Sequence, residues 1–161
     1  NNLKAVSSFE KIDPLVYESI SIKNEVVLED PTEKGLRKIL NFGHTLGHAI
    51  ESYYLESDDD KMLLHGEAIA AGMVLEAWLS HQLHGLPSKD LEDIKNTFLQ
   101  RYPKILFSKQ DIEQIIDLLK FDKKNAYGQI NFVLLRAIGD PVLDVQIKGN
   151  LLQRAFAYYS E

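Results

Sequence analysis

Along most of the chain, apolar residues return every three or four positions, the period of a helix, rather than every second position as in a half-buried strand. Asp13 and Pro14 make an N-cap and first-turn proline, and so predict a helix through Leu15, Val16, Ile20, Val26 and Val27. Asp30, Pro31 and Glu33 repeat the signal and predict a second start, which Gly35 is placed to interrupt. From about Leu36 to about Tyr54 the spacing predicts one helix. The acidic stretch "LESDDDKMLL" reads as a solvated loop. After it, "HGEAIAAGMVLEAWLSHQLHG" is apolar on nearly every side, as a helix buried within a domain would be, and Gly85 and Pro87 end it.

Two shorter amphipathic helices follow. Ser88 and Ser108 are their expected N-caps, with Leu91, Ile94 and Phe98 inward in the first and Ile112, Ile115, Ile116 and Leu119 inward in the second. Only "GQINFVLLRAIGDPVLDVQI" reads as β structure, a hairpin of two short runs separated by "GDP". "NLLQRAFAYYS" closes the chain as an amphipathic helix. The expected fold class is therefore mainly α, a single domain over residues 1–161 with a small β-hairpin near its end.

Placed on one helix at about 100° per residue, Arg37, Asn41, His44, His48 and Glu51 fall in a single polar stripe, beside an apolar half formed by residues such as Leu40, Phe42, Leu46 and Ile50. A stripe that merely faces water favours Lys, Glu, Gln and Ala, which are strong helix formers. This one holds side chains that recognise anions, bind metal and move protons. Gly43 and Gly47 lie in the same segment, where glycine costs roughly 1 kcal/mol each relative to alanine; close approach by another backbone is the usual compensation. The zincin pattern needs Glu directly after the first histidine, and Thr45 stands there instead.

His65 opens the buried helix. A helix N-terminus disfavours the imidazolium, so this ring tends toward its neutral, metal-binding form. Glu67 suits the first turn for the same reason, and Glu76 requires a partner if it is buried. His81 and His84 read as favourable charges at a helix C-terminus. Two imidazoles are an incomplete catalytic zinc site, which takes three protein ligands and leaves one position open.

Composition narrows the chemistry further. At 161 residues the chain is long enough for one domain with a core. Its 45% hydrophobic and 26% charged residues are ordinary for a globular protein, and its net charge of −6 argues against nucleic acid as the partner. With no cysteine, disulfides, thiolate metal sites and thiol nucleophiles are all excluded. No leader pattern or membrane-length apolar run occurs, so a cytoplasmic protein without a membrane partner is expected.

"LRKILNFGHTLGHAIES" followed by "HGEAIAAGM" closely resembles the C-terminal domain of the 3-dehydroquinate synthase family, and "SIKNEVV" and "FDKKNAYGQINFVLLRAIG" fit the same family in order and spacing. The resemblance implies the helical half of a two-domain enzyme, the active site lying between it and an N-terminal NAD-binding α/β domain. No strand and glycine-loop unit for a dinucleotide occurs in the chain, so a fragment lacking that domain is expected. By resemblance, His44 and His65 are metal ligands, for zinc or cobalt, and the third ligand is a glutamate upstream of Asn1. His48 handles the substrate phosphate and its protons. Lys23, Arg37 and Asn41 hold the substrate's carboxylate and hydroxyls, and Lys123 or Lys124 reaches it as well.

The implied reaction turns 3-deoxy-D-arabino-heptulosonate 7-phosphate into 3-dehydroquinate and phosphate, in the shikimate route to chorismate and the aromatic amino acids. It proceeds by transient oxidation, phosphate elimination, re-reduction and aldol closure. A full-length homodimer is expected, and no activity from the isolated chain. Three alternatives remain at this point: another sugar phosphate cyclase of the 2-deoxy-scyllo-inosose or valiolone type, a relative of the iron-containing alcohol dehydrogenases, and a non-catalytic helical module.

Overall fold

A computed structural model describes residues 12–56, 63–125 and 130–161, with the side chains of 120–125 outside the description. The chain divides into two compact units, Asn1–Leu40 and Asn41–Glu161.

In the first unit, helix α1 (Ile12–Glu29) carries the predicted apolar residues, with Val16 and Ile20 exposed. The second helix start predicted at Asp30 is instead a turn. The Asp30 carboxylate accepts the backbone N–H groups of Lys34 at 3.0 Å, Gly35 at 2.7 Å and Arg37 at 3.1 Å. Such side-chain acceptance offers the backbone an alternative to a regular helix. These bonds, that from Gly35 foremost, hold the Asp30 carboxyl below its usual range.

The helix predicted from Leu36 to Tyr54 is broken. Leu36–Asn41 forms a 3-10 helix, and α2 (His44–Glu56) begins only after Gly43, whose φ of 81° lies in the left-handed region. The polar stripe therefore does not run unbroken from Arg37 to His48.

The second unit is built around α3 (His65–His84), which is buried from Ala68 to Ala71 and from Val74 to Ser80, as its all-round apolarity predicted. Gly85, at φ 76°, ends it. On α3 pack α2, α4 (Ser88–Leu99), strand β1 (Phe132–Ala137) and the closing helix α6 (Leu151–Ser160). Helix α5 (Lys109–Asn125) lies against α2, with Ile115, Ile116 and Leu119 in the common core beside Phe156 and Tyr159.

Ser108 caps α5 as expected: its Oγ accepts the Asp111 N–H at 3.2 Å, and Asp111 accepts the Ser108 N–H at 2.7 Å. At α4 the cap is shifted by one residue to Pro87, so Ser88 is the first helical residue and makes no cap bond. Strands β1 and β2 (Asp140–Val145) form the antiparallel hairpin, turning at Ile138 and Gly139, so that Asp140 and Pro141 already belong to β2. An extra residue on β2 between Val142 and Val145 makes a bulge, where Asp144 takes a φ of 56°. Ser80 ties the hairpin to the central helix, its hydroxyl donating to the Glu76 carbonyl at 2.6 Å and accepting the Leu135 N–H at 2.9 Å. Among the described residues no helix is long and apolar enough to cross a membrane.

Candidate metal centre

Helices α2 and α3 meet backbone to backbone. A Cβ on Gly72 of α3 would overlap the Gly43 carbonyl oxygen and lie 2.7 Å from the Gly47 nitrogen. One on Gly47 would come within 2.6 Å of the Ile69 side chain and 3.0 Å of its Cα. At Gly43 a Cβ would collide with Met73, 2.9 Å from its backbone nitrogen, as well as straining a left-handed φ. Three glycines thus form the crossing. The close approach that Gly43 and Gly47 imply is real, whereas the sequence reading passed over Gly72 on the opposing helix; a third small residue in an otherwise bulky buried helix is the signal that could have found it.

Glu76 fixes the entrance of α2 at this crossing. It is fully buried, and its carboxylate accepts the Gly43 N–H at 2.6 Å and the Leu46 N–H at 3.1 Å. These are amides that a helix N-terminus otherwise leaves without acceptors. Burial pushes the carboxyl up to about 8, while the N–H groups of Gly43, Leu46 and Thr45 act to lower it. The partner that Glu76 requires is thus a helix end, not a cation.

The crossing brings three imidazoles together. The ring centroids of His44 and His48 on α2 are 5.4 Å apart, and those of His44 and His65, the first residue of α3, 6.2 Å apart. His48 and His65 are separated by 5.8 Å. His44 is half-buried, while His48 and His65 are exposed. Each ring offers one nitrogen within 4.8 Å of the other two. Two nitrogens in a tetrahedral zinc site stand about 3.4 Å apart, so the rings would close by up to roughly 1.4 Å to share a divalent cation. All-nitrogen imidazole donors suit zinc and cobalt.

The outer nitrogens are partly committed. His44 Nδ1 lies 3.1 Å from the Phe42 carbonyl oxygen, an acceptor only, so Nδ1 carries the proton and Nε2 is left as the donor atom. His65 Nδ1 lies 3.0 Å from the Glu51 carboxylate. Among the described residues His48 has a hydrogen bond at neither nitrogen, and desolvation, followed by the neighbouring His44 and His65 charges, lowers its pKa below the ordinary histidine value. Glu51 opposes that shift.

Asn41 ends the 3-10 helix three residues before His44. Lys23 and Arg37 belong to the first unit. Lys23 is exposed on α1, and Arg37 donates from Nη1 to the Pro31 carbonyl at 3.2 Å, with its Nε 3.8 Å from Glu33. Lys123 and Lys124 fall on α5 among the residues whose side chains lie outside the description.

Residues 1–125 match the family described as 3-dehydroquinate synthase C-terminal. The 3-dehydroquinate synthase of Parabacteroides distasonis is 38% identical over 154 residues, which are 96% of this chain and 43% of that protein. That of Xylella fastidiosa strain 9a5c is 42% identical over 127 residues, 77% of this chain and 32% of that protein. The chain thus spans less than half the length of these relatives. Among solved structures, 2-deoxy-scyllo-inosose synthase complexed with carbaglucose-6-phosphate, NAD+ and Co2+ is similar with a TM-score of 0.74 and 25% identity, over 92% of this chain and 41% of that one.

Proposed function

The chain belongs to the 3-dehydroquinate synthase family, matching its C-terminal domain, and on that premise we propose that it is the metal- and substrate-binding part of a 3-dehydroquinate synthase. The reaction assigned is conversion of 3-deoxy-D-arabino-heptulosonate 7-phosphate to 3-dehydroquinate and phosphate. The observation that carries the reading is the convergence of His44, His48 and His65 from two helices locked by a glycine crossing. A solvated histidine face has no need of such a crossing.

In this reading the Nε2 atoms of His44 and His65 are the metal donors, and the third protein ligand and the NAD-binding domain belong to the part of the relatives' length that this chain does not cover. A divalent cation held there would supply Lewis acidity toward a substrate hydroxyl, and NAD bound by the preceding domain would supply the hydride-accepting chemistry. His48, kept neutral by desolvation and its two neighbours, accepts a proton beside the departing phosphate. The cations Lys23 and Arg37, with Lys123 or Lys124, meet the substrate's carboxylate and phosphate, and Asn41 holds its hydroxyls. The 161 residues alone do not turn over, and the complete enzyme works in the cytoplasm as a homodimer.

The likeness to 2-deoxy-scyllo-inosose synthase favours one second reading, a cyclase for a sugar phosphate without the carboxylate. The test is made on this chain preceded by an NAD-binding domain and supplied with each sugar phosphate. Consumption of the heptulosonate alone supports the first reading, and consumption of glucose 6-phosphate alone the second. His65→Ala abolishes bound zinc and turnover together. Unchanged metal content in that variant removes His65 from the ligand set.

A further inference from the structure

His65 poses a problem that the metal reading leaves open. It is the first residue of α3, its side chain is more than half exposed, and an exposed imidazole can place its single proton on either nitrogen. A ring protonated on the nitrogen facing the ion is not a ligand. His44 meets the same difficulty with the carbonyl of its own neighbour Phe42, which fixes the proton on Nδ1. At His65 the group within reach of Nδ1 is the carboxylate of Glu51, at 3.0 Å, reaching across from α2.

Glu51 lies seven residues after His44 and three after His48, so one face of α2 carries two of the converging rings and also the group that meets the third. It is not itself one of the converging donors, which are the three imidazoles. We propose that Glu51 is a positioning residue of the metal centre: by accepting the His65 Nδ1–H it fixes that ring's tautomer and rotation and presents Nε2 to the cation. The inference rests on the metal reading given above. A carboxylate in this place does more than a carbonyl, because its charge also raises the basicity of the ligating nitrogen. Glu51 is partly exposed, and among the described residues its hydrogen bond is to the His65 ring, so its removal leaves the core intact.

The experiment uses this chain preceded by the NAD-binding domain that supplies the third ligand, titrated with Zn2+ against a chromophoric chelator as wild type, Glu51→Ala and Glu51→Gln, with the His65 tautomer read from long-range 15N–1H correlations in metal-free protein. Wild type is expected to hold one Zn2+ and to show His65 protonated on Nδ1. Glu51→Ala is expected to weaken binding roughly 10- to 100-fold, the range for loss of such an outer partner, and to move His65 toward a mixture of tautomers. Glu51→Gln recovers part of both, since its amide oxygen still accepts the Nδ1–H. Zinc affinity within twofold of wild type in Glu51→Ala, with the tautomer unchanged, overturns the assignment of Glu51 while leaving the metal centre standing. Glutamine no better than alanine also overturns it, pointing to Glu51 as a direct ligand. A wild-type two-domain protein that binds no Zn2+ defeats the metal reading itself, and the role of Glu51 with it.

Discussion

The Gly43 amide donates to the Glu76 carboxylate at 2.6 Å, across the interface of the two helices that carry the histidines. A buried carboxyl group on α3 thereby sets where α2 begins, and hence where His44 is held. Glu76→Ala leaves the Gly43 and Leu46 amides buried without their acceptor, at a cost of about 1–3 kcal/mol for each buried donor. Urea unfolding is expected to show a loss of about 2–6 kcal/mol in total, and zinc affinity should fall with it.

The same carboxyl makes stability depend on pH. Its folded value is pushed up from 4.5 to about 8, so between those limits the folded state binds the proton more tightly than the unfolded chain. Stability therefore falls as pH rises from about 4.5 to about 8. Glu76→Gln places an NH2 group opposite an N–H donor and so lowers stability throughout, but it removes this slope. Unfolding free energies measured across that window for both proteins check the difference.

Gly72→Ala inserts a methyl group where the Gly43 carbonyl and the Gly47 backbone already stand. Overpacking of this kind costs about 1–3 kcal/mol or more, and here it separates the two helices directly beneath the histidines. The expected result is a lower melting temperature together with weakened zinc binding. Gly66→Ala, on the same helix with open space around its Cβ position, serves as the control and should change neither.

His48 is held below the ordinary histidine pKa, chiefly by desolvation and then by His44 and His65. Its neutral form is therefore present to a lower pH than usual, and a cation bound between its neighbours pushes in the same direction. In the enzyme with its NAD-binding domain, kcat/KM should rise with pH along a limb lying below 6.5. His48→Ala should remove that limb and lower kcat by about 100- to 10,000-fold, the usual range for a lost general acid or base.

The buried helix, the hairpin and the closing helix were legible because their patterns are dominated by core packing, which the apolar period reports directly. The stretch from Asp30 to Gly43 was not. Its residues have helical spacing, yet Asp30 takes up three backbone N–H groups and Gly43 adopts a left-handed φ, and neither event leaves a trace in hydrophobic periodicity. At the site, the histidines and the close approach at Gly43 and Gly47 could be read in advance. The position of Glu76 at the end of another helix could not, nor could the link from Glu51 to His65, since both are contacts between elements that sequence spacing does not encode.

A contact made of main chain cannot be repacked. Ordinary cores drift through compensating exchanges, one side chain shrinking as its neighbour grows, but between Gly43, Gly47 and Gly72 there is no volume left to surrender. A library randomised across both helices would be expected to vary freely at Leu46, Ile50 or Leu75 while returning the same residue at those three positions. The spacing of the histidines is thus set by atoms that every amino acid possesses, and it is guarded only by the absence of anything more.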